Sequence, residues 1–154
     1  SKKYRKAKGF TLVELLIVII IIGILAGMMM LSTGSATDTA EATKIVSDMR
    51  NIKSACLMYY AENRVWPKAT DIESVDKYLD TQTDTTKYNL EAGVKSGDLN
   101  VTGTTKEAGV QKKLVTMAAD AGLYDDNTAT KIIKTPQDKV HMIIKKDKTK
   151  IMYT

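Results

Sequence analysis

The run from Phe10 to Leu31 constrains this chain more than any other feature, because its 22 residues carry only two polar side chains, Thr11 and Glu14. As a helix rising about 1.5 Å per residue, the run would measure about 33 Å, enough to cross the roughly 30 Å hydrocarbon layer of a bilayer. Lys2, Lys3, Arg5, Lys6 and Lys8 precede it with no acid among them. Basic clusters of this kind stay on the cytoplasmic side, so the sequence predicts one span with a cytoplasmic N-terminal end and a domain on the far side.

The remaining length suits one globular domain with a single core. The formal net charge of +5 resides in the leader, since the chain from Phe10 onward has 18 basic and 18 acidic residues. They are polarised: residues 10–130 hold 11 basic and 16 acidic, residues 131–154 hold 7 and 2. The charge balance therefore does not support a uniformly basic surface that coats nucleic acid, and leaves open a basic C-terminal end. Cys56 is the only cysteine, so no intramolecular disulfide holds the fold; within a helical apolar repeat it reads as a small buried hydrophobe.

Beyond the small, polar stretch Ser32–Thr39, the series Ile45, Met49, Ile52, Cys56, Tyr59 recurs every three or four residues and predicts one apolar stripe on a helix. Val46, Ala55 and Tyr60 widen it, while Lys44, Asp48 and Lys53 form a charged back. Pro67 stops this helix near Asn63. A short helix with a capping box is expected at Thr70–Glu73, carrying Ile72, Val75 and Leu79. Residues 81–105, rich in Thr, Asp, Gly and Lys, read as loops with at most one short strand. Val110, Leu114, Met117 and Ala121 mark a further amphipathic helix closed by Gly122. Residues 139–145 and 148–154 read as a hairpin turning at Lys146–Asp147, with a third strand at Lys131–Lys134. The expected fold class is α+β: a long N-terminal helix, its first half transmembrane and its second half packed on a small antiparallel sheet.

The residues Lys8-Gly9-Phe10-Thr11-Leu12-Val13-Glu14-Leu15 resemble the processing site of type IV prepilins and type II secretion pseudopilins: basic leader, glycine, phenylalanine, and an acid at the fifth position of the mature chain. The likeness extends loosely to Asn63-Arg64-Val65-Trp66-Pro67, similar to the family's asparagine-glycine-x-aromatic-proline turn, with Arg64 where glycine is usual. The resemblance implies a division into a leader at 1–9, a transmembrane and filament-core segment at 10–31, and an extracytoplasmic head at 32–154. It implies cleavage after Gly9 by prepilin peptidase, methylation of the new amine on Phe10, delivery through an inner-membrane assembly platform, and packing with copies of itself or other pilins in a helical filament. The alternative of an ordinary secretory signal predicts a shorter apolar region without a glutamate, although Gly34-Ser35-Ala36 would suit its cleavage.

An acid at the centre of a spanning helix costs about 2.5 to 3.5 kcal/mol on insertion scales, so Glu14 needs a reason. Near the boundary it can snorkel to headgroups. In the family, the equivalent carboxylate pairs with the N-terminal amine of a neighbouring subunit, here that of Phe10. Gly23 and Gly27 have the small-xxx-small spacing that allows helices to approach closely in lipid. Family filaments often carry a helix-melting proline near the position of Leu31; this chain has none, and Gly34 offers the comparable weak point.

No phosphate loop, zinc spacing or nucleophile motif is present, so neither catalysis nor a cofactor is expected. His141 lies in a strand pattern without companions at ligand spacing. Asp125 and Asp126 are a calcium candidate by analogy with some pseudopilins, but they lack the glycine and distal glutamate of an EF-hand and equally suit a turn. Lys139, Lys145, Lys146, Lys148 and Lys150 would contact nucleic acid in a DNA-uptake pilin, or else keep a strand edge from pairing. A filament subunit is the primary reading, with a secretion pseudopilin or minor pilin beside it. A single-span anchored binding domain is the alternative of a different class.

Overall fold

A computed structural model describes residues 9–147, which fall into two compact units, Ser1–Thr37 and Asp38–Thr154. Helix α1 runs over Leu12–Asn63. A 3-10 helix at Ile72–Tyr78, strands β1 (Tyr88–Ala92) and β2 (Leu99–Thr104), helix α2 (Ala108–Ala121) and strand β3 (Lys139–Lys145) follow. The sheet is antiparallel throughout, in the order β1-β2-β3. The expected α+β class and the long first helix are both present.

In the first unit the apolar residues from Phe10 to Met29 are exposed, with Leu12 at 86% and Ile24 at 59%. This part of α1 is long and apolar enough to cross a membrane. In the second unit Ile45, Met49, Ile52 and Cys56 are buried as the repeat predicts, and Ala42, Val46 and Ala55 are buried beside them. Tyr60 departs from the expectation. It is exposed and stacks on Trp66 at 4.5 Å between ring centres.

The stripe packs on the sheet at a site that requires glycine. A Cβ on Gly103 would lie 2.8 Å from Met49 Sδ and 3.3 Å from Ile45 Cγ2, so the missing side chain allows β2 to lie against α1. In register beside it, Leu90, Val101 and Met142 form a buried row across the three strands. Polar bonds tie the start of β1 to α1: Lys87 Nζ reaches Glu41 Oε1 at 2.7 Å and Tyr88 OH donates to Asp48 at 2.7 Å. Asp48 thus faces β1 rather than forming part of a purely solvated back.

The opposite face of the sheet carries Asn100, Thr102 and His141, all buried. The segment between α2 and β3 lies against it. Asn100 Nδ2 donates to the Asn127 carbonyl, and Tyr124 and His141 exchange backbone hydrogen bonds of 2.7 and 3.1 Å. This arrangement explains why residues 81–105 do not read as strands. They form two, but β2 meets polar groups on one face and uses glycine on the other, so periodicity and propensity are both muted.

Two further expectations are corrected and a third falls outside the described residues. The helix after Thr70 is 3-10, and Asp71 at its start makes no side-chain cap, so the capping box does not form. Strand β3 pairs with β2, its Val140 opposite Gly103; the expected partner at 148–154 lies outside the described residues. Residues 131–134 contribute only the bridge of Ile132 to Tyr124. Helix α2 forms with Gly122 closing it at φ 72°, a left-handed conformation natural to glycine; Val110 and Leu114 are buried as expected, Met117 and Ala121 are half-buried at the edge of the core, and Ala118 is buried instead.

Candidate functional site

The start of α1 is closed by two residues acting on each other. Thr11 Oγ1 accepts from the Glu14 backbone N–H at 3.1 Å, and Glu14 Oε2 accepts from the Thr11 N–H at 3.3 Å. This is a capping box, in which two N–H groups of the first turn, otherwise without partners, are satisfied reciprocally. The Thr-x-x-Glu spacing that signals it is present in the sequence. Within a run that reads as a membrane span, however, Thr11 registers only as an interruption. The cap gives the Glu14 carboxylate a local role: it meets a backbone donor and the positive end of the helix dipole.

Gly9 and Phe10 precede the helix and are both exposed, Phe10 at 83%. A Cβ added at Gly9 would meet nothing within 4 Å. The peptide between these two residues therefore lies one residue ahead of the capped turn, in exposed, non-helical chain. Gly23 and Gly27 are likewise open, with nothing within 4 Å of an added Cβ. At four-residue spacing on a helix they share one face.

The far end of α1 is built differently. Arg64 adopts φ 61°, and its N–H donates to the Tyr60 carbonyl at 2.8 Å. Asn63 Nδ2 caps the Tyr59 carbonyl at 3.0 Å, Trp66 stacks on Tyr60, and Lys145 Nζ stands 5.6 Å from the Trp66 ring centre. The geometry is the left-handed helix stop that glycine usually supplies, made here with arginine.

Asp126 Oδ1 accepts from the Thr128 N–H at 2.9 Å and from the Thr128 hydroxyl, which hold its carboxyl below the usual range, so the segment is a turn. Among the described residues no group of three or more His, Cys, Asp or Glu side chains is placed to hold a metal. Cys56 is buried, and desolvation pushes its thiol up to about 12, far from a reactive thiolate. His141 Nδ1 lies 3.6 Å from Glu91 Oε2 with no hydrogen-bond partner, and burial lowers its pKa.

Comparison with known proteins agrees with this geometry. Residues 4–30 match the family described as the prokaryotic N-terminal methylation motif. The type IV major pilin protein PilE of Neisseria gonorrhoeae is 34% identical over 107 residues, covering 70% of this chain and 61% of that protein. The type II secretion system core protein G of Vibrio cholerae is 38% identical over 66 residues, 43% of this chain and 45% of that one. The chain thus spans about three fifths or less of the length of these relatives. The major type IV pilin PilA1 of Clostridium difficile has the same fold, at a TM-score of 0.53 and 18% identity, over 73% of this chain and 99% of that one. A capped, exposed apolar helix followed in the chain by a small α+β unit is a pilin-like fold. The chain carries the prokaryotic N-terminal methylation motif and is similar to type IV pilins and type II secretion pseudopilins.

Proposed function

We propose that this chain is a structural subunit, cut after Gly9 by prepilin peptidase, methylated on Phe10 and polymerised into a type IV pilus-like filament, with no catalytic role. The single observation that carries the reading is the uncovered apolar surface of α1 from Phe10 to Met29, which ends in the Thr11–Glu14 cap. An apolar surface of that extent needs a bilayer or other helices around it. The subunit passes from the first to the second. Before assembly the segment 10–31 spans the membrane, with the basic leader 1–9 at the cytoplasmic face, and the head 32–154 lies outside. The inner-membrane assembly platform then moves it into a surface filament.

In the filament core the Glu14 carboxylate faces the Phe10 amine of a neighbour, and Gly23 and Gly27 admit close helix contacts. The likeness to secretion protein G favours a second reading, a pseudopilin whose filament stays within a secretion machine. Mass spectrometry of the natural protein tests both against a single-span anchored domain. A chain beginning at methylated Phe10 supports a filament subunit, and an intact Lys8–Gly9 leader rejects it. Imaging of surface filaments then separates pilin from pseudopilin.

A further inference from the structure

The outer face of the sheet and the segment that covers it hold three buried acceptors without a hydrogen-bond partner among the described residues: Asn100 Oδ1, His141 Nδ1 and Asp125 Oδ1. Asn100 is fully buried and His141 nearly so. The Asn100 amide is fixed in orientation, because its Nδ2 donates to the Asn127 carbonyl at 3.1 Å and leaves Oδ1 as the open atom. Thr102, the next outward residue of β2, is already committed to the Asn89 carbonyl.

Strand register brings two of these acceptors to one spot. Glu91 on β1 stands opposite Asn100 on β2, and His141 on β3 stands opposite Thr102. The outer strands of a three-stranded sheet are roughly 9.5 Å apart, so Glu91 and His141 can meet only above β2, beside Asn100. They do meet there, with His141 Nδ1 3.6 Å from Glu91 Oε2. That separation is too long for a hydrogen bond. It is close to the roughly 3.4 Å between two ligands that each lie about 2.1 Å from a tetrahedral ion.

We propose that Glu91, Asn100 and His141 bind a divalent transition-metal ion, with zinc the best match to an imidazole nitrogen beside a carboxylate. The third donor is an amide oxygen, so the set is not a cluster of three His, Cys, Asp or Glu, of which the described residues hold none. Asp126 and Asp125 add negative charge around His141 from the covering segment. Lys139 Nζ, 3.9 Å from Glu91 Oε2, is the local competitor, and its half-exposed side chain can turn out to solvent. Glu91 is itself half-buried, which leaves the ion a way in. Asn100 is bonded to Asn127, and His141 exchanges backbone bonds with Tyr124, so a bound ion fastens the segment between α2 and β3 to the sheet. The site is independent of the apolar half of α1 and of whether the chain assembles.

The test uses the full chain in detergent, stripped with a chelator and titrated with zinc chloride. The expected result is one zinc ion retained per chain after dialysis and a melting midpoint that rises with zinc, both lost in Glu91→Gln and in His141→Gln. His141 is the only histidine, so no other imidazole accounts for such a loss. A cooperative zinc-free melt of Glu91→Gln shows that the loss is not one of folding. No retained zinc and an unmoved midpoint overturn the proposal and leave a water to bridge these atoms. Retention that survives either substitution overturns it as well, and so does an equal rise with calcium, which places the ion among carboxylates alone.

Discussion

Thr11 and Glu14 cap each other across the first turn of α1, the hydroxyl accepting from the Glu14 N–H and the carboxylate from the Thr11 N–H. The one acid in the apolar run is therefore already engaged within its own chain. Glutamine serves the same position in a capping box, so substitution by glutamine separates the charge of Glu14 from its part in the cap.

Arg64 holds a left-handed conformation, φ 61°, that costs a residue with a side chain about 1 to 2 kcal/mol. Glycine would remove that strain, but part of the gain is lost because glycine enlarges the freedom of the unfolded chain. Arg64→Gly is expected to stabilise the head by about 0.5 to 1 kcal/mol, read as a rise in the urea midpoint at unchanged slope. A fall in the midpoint would show that the Arg64 side chain contributes more than its backbone strain removes.

Gly103 allows close contact of β2 with α1, and any side chain there meets Met49 and Ile45. Gly103→Val is expected to destabilise the head by about 1 to 3 kcal/mol, the usual range for overpacking. Met49 is long and flexible, so Gly103→Ala should cost less. Equal midpoints for the wild-type and valine chains would contradict the packing described.

His141 is buried on the outer sheet face, where Glu91 of β1, Lys139 of β3, and Asp125 and Asp126 of the covering segment surround it electrostatically. Burial dominates and lowers its folded pKa, so the unfolded chain binds its proton more readily. The stability contribution of the neutral ring is complete above the unfolded value, about 6.5, and is lost as pH falls through that value toward the folded one. The urea midpoint of the head should therefore drop between about pH 7 and pH 5, and His141→Gln should flatten that part of the profile. A profile unchanged by the substitution would assign the acid sensitivity elsewhere.

What was legible in the sequence follows the strength of each local signal. The repeat from Ile45 to Cys56, the apolar run, and α2 with Gly122 are long and periodic, and the structure reproduces them. Strand β2 was hidden because Asn100 and Thr102 are polar yet buried, where Asn100 Nδ2 donates to the Asn127 carbonyl and Thr102 Oγ1 to the Asn89 carbonyl. Tyr60 fits the helical stripe by spacing, but its partner is Trp66, beyond the helix end. Gly9, Phe10 and Glu14 stand in the sequence motif, and the structure places them at the start of α1. The cap between Thr11 and Glu14 was not legible, because a membrane-span reading draws attention away from the start of the helix.

The most direct test of the account is Glu14→Gln, with surface filaments counted and leader removal checked by mass spectrometry on the same cells. The amide keeps the cap and eases membrane insertion, so the mature chain should still begin at methylated Phe10. Without the carboxylate, the Phe10 amine of a neighbour enters an apolar core unpaired, and breaking a buried pair costs about 3 to 5 kcal/mol for each subunit. Normal processing with filaments lost or severely reduced is the expected result. Filaments at wild-type number from fully processed chains of this variant would contradict it and leave Glu14 with the helix cap as its only role.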